Sequence, residues 1–263
     1  MYKLPVCLFM LLAAAFPVPL PAAGDPDWAS VINIAGRQRM LTQRITRTHV
    51  QAGLGANAVV ARKQLAQSMS EFEQQHAELK QLDLPAEIRD ALRQVEADWG
   101  RFSVQAGGEY TPRKLRQLVE LDTELLQGCE RVVYLLEEMT GTRQGRLVNI
   151  SGRQRMLSQR LVKNYMLLSA GLDSPTLIAR LGDDRAEFRK SLNTLMSERN
   201  YSPGIGLKLA EVAEQWVWVE SALDSMLENH YPIIVADAAE KILVLLESLT
   251  RMYAVIEEDQ AGR

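Results

Sequence analysis

The chain has little of what staples, ligates or spans. Only two of its 263 residues are cysteines, Cys7 and Cys129, and only three are histidines. Cys7 falls in a stretch expected to be removed on export, so no intrachain disulfide is expected. Cys129 then reads as a small hydrophobe buried on a helix. No Cys-x-x-Cys-His haem attachment, zinc-ligand spacing, glycine-rich phosphate loop or nucleophile motif occurs. Glu73-Gln-Gln-His76 has the Glu-x-x-His spacing of di-iron bundles, but those need a second copy, and His230 follows Glu228 at the wrong spacing. No metal, no cofactor and no enzymatic activity are therefore expected. The net charge of −3 argues against a nucleic-acid partner, which calls for a basic surface. Aromatics are scarce, at 6%, and Trp99, Trp216 and Trp218 are assigned to packing between helices. No run beyond the amino terminus is long and uncharged enough to cross a bilayer; the most apolar, Ile242 to Leu249, is interrupted by Glu247.

The amino terminus differs from the rest. Lys3, the apolar run Leu4 to Phe16 and the small residues Ala22-Ala23-Gly24 have the order of a secretory signal peptide, residues 1–24. The run is short and broken by Pro17, Pro19 and Pro21, which disfavours a membrane anchor. A cleaved leader predicts a periplasmic, soluble product.

The chain beyond residue 24 is rich in Leu, Ala, Glu, Gln and Arg without strand-like alternation. Helix breaks fall at Gly53 to Gly55, Leu84-Pro85, Gly107-Gly108 and Thr111-Pro112. Asp25-Pro26-Asp27 predicts a helix start with proline in the first turn, and Pro203 and Pro232 open the last two helices. The predicted fold is all-α: two tandem up-down four-helix bundles, residues 25–140 and 141–263, related by duplication. At Thr140-Gly141-Thr142 a tight reversal would use Gly141 as a C-terminal cap and Thr142 as an N-cap. A helix continuing through Gly141 is the alternative, and it would set the halves end to end.

The duplication is clearest in one stretch. Asn33-Ile-Ala-Gly-Arg-Gln-Arg-Met-Leu-Thr-Gln-Arg44 returns as Asn149-Ile-Ser-Gly-Arg-Gln-Arg-Met-Leu-Ser-Gln-Arg160, 149 − 33 = 116 residues later. A period that long is domain-sized, not a solenoid repeat. Both copies lie in windows without acidic residues, Trp28 to Ser70 and Met139 to Leu172, within an acidic protein. Two cationic, acid-free helices point to something negative. On a helical wheel Ile34, Leu41 and Ile45 mark a core face. Asn33, Gly36, Arg37, Met40, Arg44 and Arg47 mark a second, repeated as Asn149, Gly152, Arg153, Met156, Arg160 and Lys163. Glycine admits close helix approach, and juxtaposed arginines call for an oxyanion or a carboxylate between them. An internal salt-bridge network, or a solvated basic face, is the bland alternative. Arg39 and Arg155 fall off this face and take a supporting role.

The same residues resemble the first-helix motif of the PilJ-type sensory domain, named for type IV pili methyl-accepting chemotaxis transducers. They are similar also to the P-box of nitrate/nitrite sensor kinases. The resemblance implies four-helix bundles and, from the nitrate-sensing members, an anion held between paired first helices. Carried over, the anion-contacting arginine matches Arg44 and Arg160, and Gly-x-x-Arg-Met matches Gly36, Arg39 and Met40, then Gly152, Arg155 and Met156. It further implies a sensory protein for nitrate or nitrite with a membrane-bound signalling partner. If the chain reverses at Gly141, the arginine faces meet within one chain; if it does not, each needs a second copy, a homodimer. The competing function is a helical interaction module docking on an acidic protein without a small ligand.

Overall fold

A computed structural model describes residues 26–172, 174–198, 202–224 and 232–256. The expected leader, residues 1–24, lies outside them, as does the Glu228/His230 pair. Among the described residues the chain is all-α and without strands. It forms α1 (Trp28–Gly53), α2 (Ala58–Lys80), α3 (Ala86–Ala106), α4 (Pro112–Thr140), α5 (Arg143–Ser169), α6 (Pro175–Ser197), α7 (Pro203–Asp224) and α8 (Pro232–Ala254).

Local chemistry sets most of these limits. The first helix begins at Trp28, because the Asp27 carboxylate accepts from the Ser30 backbone N–H and caps the helix. Pro26 thus precedes the cap, where a place in the first turn was expected. Thr111 and Ser174 cap α4 and α6 in the same way, each followed by proline at the first helical position. At the junction of the halves Gly141 adopts φ 60°, a left-handed conformation that ends α4, and its N–H bonds the Glu137 carbonyl. Thr142 then caps α5 through the Gly145 N–H at 3.0 Å. Two residues turn the chain back, so the halves lie side by side.

α1 packs on α2 and α4, α3 on α4, and the second half repeats the pattern with α5 on α6 and α8, and α7 on α8. The most extensive pairing joins the halves, α1 against α5. Both run antiparallel to α8: Arg37 faces Glu247 and Arg44 faces Glu240, while Gln144 bonds the Ala254 carbonyl and Gln159 that of Ala239. The motif helices are therefore parallel and in register about a pseudo-twofold axis. The duplication extends to single bonds. Gln38 donates to the Phe72 carbonyl and Gln154 to that of Phe188, 116 residues on in each case. Phe72 stacks on Trp99 at 4.1 Å and Phe188 on Trp216 at 3.8 Å, so both tryptophans pack as expected. Trp218 does not: it is 67% exposed on the outer face of α7, beside Val217. Trp216, two residues earlier, takes the inward position, and helical residues two apart do not share a face.

The core is one continuous apolar cluster with contributions from all eight helices. α1 sits deepest. Every residue from Gln38 to Gln51 is buried, so this helix has no solvent face along its carboxy-terminal half. No described helix is long and apolar enough to cross a membrane.

Candidate functional site

Where α1 and α5 cross, the small residues are Gly36 and Gly152, and the space they leave is filled by guanidinium groups. A Cβ on Gly36 would lie 3.3 Å from Nη2 of Arg39 and 3.7 Å from Nη2 of Arg155. At Gly152 the corresponding distances are 3.2 Å to Arg155 and 3.6 Å to Arg39. The two arginines thus converge on the axis between the repeats. Each reaches across to the asparagine that opens the opposite motif. Arg39 Nη2 donates to Asn149 Oδ1 at 2.7 Å, and Arg155 Nη2 to Asn33 Oδ1 at 2.9 Å. Helical side chains lean toward the amino terminus, so an arginine six residues into one helix reaches the first motif residue of a parallel neighbour.

The pair is not balanced. Arg155 Nη1 bonds Glu247 of α8 at 3.1 Å. Arg39 forms no ion pair among the described residues. Its bonds go to Asn149, whose amide in turn donates to Glu137, and its Nε is buried without a partner. Both guanidiniums are essentially inaccessible, at 2% and 0% exposure. Burial pushes Arg39 down to about 10; Glu130 opposes this, while Arg153 and Arg155 add to it. Arg155 is lowered too, by burial first, with Glu247 holding it up and Arg37 pulling it down. Two cations and one direct carboxylate are therefore buried together, and such groups carry a large desolvation cost unless paired.

The remaining motif arginines are neutralised. Arg44 makes a two-point contact with Glu240 of α8, at 3.2 and 2.7 Å. Arg160 turns to α6, onto Asp184 and toward Glu187. The two do not meet across the axis, contrary to the expected juxtaposition. Arg37 lies near Glu71 and Glu247, and Arg153 binds Glu130 and Glu187. For these four the salt-bridge network is what the fold contains. Met40 and Met156 are fully buried between the helices. Asn33 and Asn149 are at the crossing, as described, with Gly36 and Gly152; Arg39 and Arg155, assigned a supporting role, occupy its centre.

Several partners came from elsewhere in the chain. Asp122 on α4 is fully buried and accepts from Lys163 Nζ at 2.5 Å, Thr46 Oγ1 at 2.9 Å and Gln43 Nε2 at 3.1 Å, tying α1, α4 and α5 together. Arg47, also fully buried, bonds Glu240 at 2.5 Å and is held down at about 10 by burial, against the pull of that carboxylate. Asp184 is raised by burial, with Arg160 opposing. Glu247 had a visible signal, a lone charge within the run Ile242 to Leu249. Asp122 had a weaker one, a carboxylate at helical spacing from Leu118, Leu125 and Leu126. Cys129 is buried, and burial raises its thiol far above the usual range. His76 stacks near Phe72 with neither ring nitrogen bonded, and burial lowers its basicity first. Among the described residues no group of three or more His, Cys, Asp or Glu side chains is placed to hold a metal.

No curated protein and no solved structure matches the chain. The family model described as type IV pili methyl-accepting chemotaxis transducer N-terminal matches residues 27–121 and again residues 140–250, one segment on each half. Together the segments span most of the chain, and the second begins at the reversal between α4 and α5; the chain belongs to the PilJ family of sensory domains, in two tandem copies.

Proposed function

We propose that this protein is a ligand-binding sensor that takes a small oxyanion, nitrate or nitrite first, between α1 and α5. The observation that carries the reading is Arg39: a fully buried guanidinium without a carboxylate of its own, facing Arg155 across two glycines. Arg39 and Arg155 are the direct donors, Asn33 and Asn149 orient them, and Gly36 and Gly152 let both guanidiniums reach the axis. Met40 and Met156 close the site with apolar surface. Arg44, Arg160, Arg37 and Arg153 act at one remove, fixing the helices through their carboxylates. Relatives that pair two subunits are replaced here by two repeats, residues 25–140 and 141–263, in one chain. The chemistry is recognition, not catalysis. Export to the periplasm and a membrane-bound signalling partner complete the proposal. An anion that draws α1 and α5 together would alter the α5–α8 contact through Glu247, a route from site to surface.

The competing reading docks the basic motif helix on an acidic protein. Burial of residues 38–51 on every side weighs against it, because a partner has no access to that helix face.

A ligand that binds only the native state raises its apparent stability. Nitrate or nitrite at constant ionic strength should raise the unfolding temperature relative to chloride, and an identical temperature in all three salts contradicts the proposal. Gly36→Ala sharpens the test. The added methyl would occupy the point within 3.7 Å of both guanidiniums. Anion affinity is expected to fall at least about tenfold, while the gain in helix propensity, about 1 kcal/mol, keeps the fold as stable. Calorimetry and urea unfolding of the variant read the two effects separately.

A further inference from the structure

We infer that Glu247 is a built-in counter-charge that sets the valence of the ligand: with it in place the site accepts a monovalent oxyanion and disfavours a divalent one. The inference rests on the anion site proposed above and concerns its selectivity. The charges that meet on the axis are Arg39 and Arg155, both buried, and the single carboxylate bonded directly to either is Glu247, on Arg155 Nη1 at 3.1 Å. Counted by direct bonds, one positive charge is left without a carboxylate, on Arg39, which Glu130 reaches only through space. In so buried a site a single negative charge balances it, and a second negative charge would lie against Glu247 at low dielectric.

The two repeats treat this position differently. Leu245-Leu246-Glu247 of α8 corresponds to Leu135-Leu136-Glu137 of α4. Glu137 accepts from the Asn149 amide instead of binding Arg39, so its charge reaches that guanidinium through a neutral side chain. Glu247 itself is held in place at 9% exposure, and its Oε1 is buried without a hydrogen bond. That oxygen leans toward Arg37 Nε at 3.4 Å, a distance for charge attraction with poor hydrogen-bond geometry. The carboxylate is thus committed to the site by one oxygen and neutralised elsewhere only weakly by the other. A near-twofold frame has become chemically one-sided, with a compensated arginine on the second repeat and an uncompensated one on the first.

Perchlorate and sulfate share a tetrahedral shape and differ by one charge, so their affinity ratio isolates valence. Intrinsic hydration favours perchlorate in any dry site, and this contribution cancels when the ratio is compared between proteins. Calorimetric titration of the full mature chain with each salt, and with nitrate as reference, is done on the parent, on Glu247→Gln and on Glu247→Asp. The parent should prefer perchlorate. Glu247→Gln should shift the ratio toward sulfate by at least about tenfold while still binding nitrate, and Glu247→Asp should keep the parent's preference. Nitrate binding with an unchanged ratio in Glu247→Gln overturns the inference and leaves the anion site standing. Sulfate bound as tightly as perchlorate by the parent also overturns it, and needs no variant to fold. A parent that binds none of the three anions overturns the site and this inference together.

Discussion

Replacing Arg39 with methionine should abolish oxyanion binding and leave the anion-free protein at least as stable as the parent. The guanidinium is out of water and lacks a carboxylate of its own, so in the absence of ligand its charge opposes folding. Its depressed basicity, about 10, gives the sign. The folded state holds this proton less tightly than the unfolded chain does. The penalty is therefore fully present at neutral pH and is relieved only as pH rises from about 10 toward the ordinary arginine range. Each unit of depression corresponds to about 1.4 kcal/mol. Against this stands the hydrogen bond to Asn149, worth about 1.5–3 kcal/mol as a bond to a charged group. A methionine of similar length should leave stability unchanged or raise it by about 2 kcal/mol, as when buried ionic groups give way to apolar ones. Binding should weaken about a hundredfold or more, because one of two direct donors is gone. Urea unfolding without anion and calorimetry with nitrate measure both. A large loss of stability would mean that Arg39 is structural. In the parent, affinity should be flat at neutral pH and fall above about pH 10 as Arg39 gives up its proton.

Asp122→Ala should act in the opposite way, costing about 3–5 kcal/mol with no ligand present, because it strands Lys163 in the core. Asp122 gathers three donors from α1 and α5 and is fully buried, so its loss unpairs groups on both repeats. The companion Asp122→Leu/Lys163→Met removes both charges together. It should recover most of the loss, since an apolar pair of similar volume is often neutral or better than a buried ion pair. Urea midpoints of Asp122→Leu, Lys163→Met and the double variant give the coupling energy directly. A cost below about 1 kcal/mol for Asp122→Ala would contradict the view that this pair is buried and dry.

Much of the fold was legible because each break had its own chemistry. Gly141 and Thr142 together describe a left-handed cap followed by an N-cap, and the reversal they form places the repeats side by side. Asp27 moved the first helix start past the expected proline, since its carboxylate takes the cap and excludes Pro26 from the helix. The site was harder to read. The wheel separates an inward from an outward face, but α1 is contacted by α2, α4, α5 and α8, and each direction around it is inward. The face carrying Arg37 and Arg44 looks to α8; the neighbouring face with Gly36 and Arg39 looks to α5. Charge content gave no help, because both faces are basic and the carboxylates that distinguish them lie on other helices, at Glu240 and Glu247. Those two glutamates belong to α8, far from the first motif in sequence, and only the fold brings them to it.

One oxyanion site built by one chain between its two repeats is tested most directly by stoichiometry, in a calorimetric titration of the mature protein with nitrate at neutral pH. One nitrate per chain is expected, with Arg39→Met and Arg155→Met each removing it. Two nitrates per chain, one for every two chains, or one that survives both substitutions would contradict a single intramolecular site.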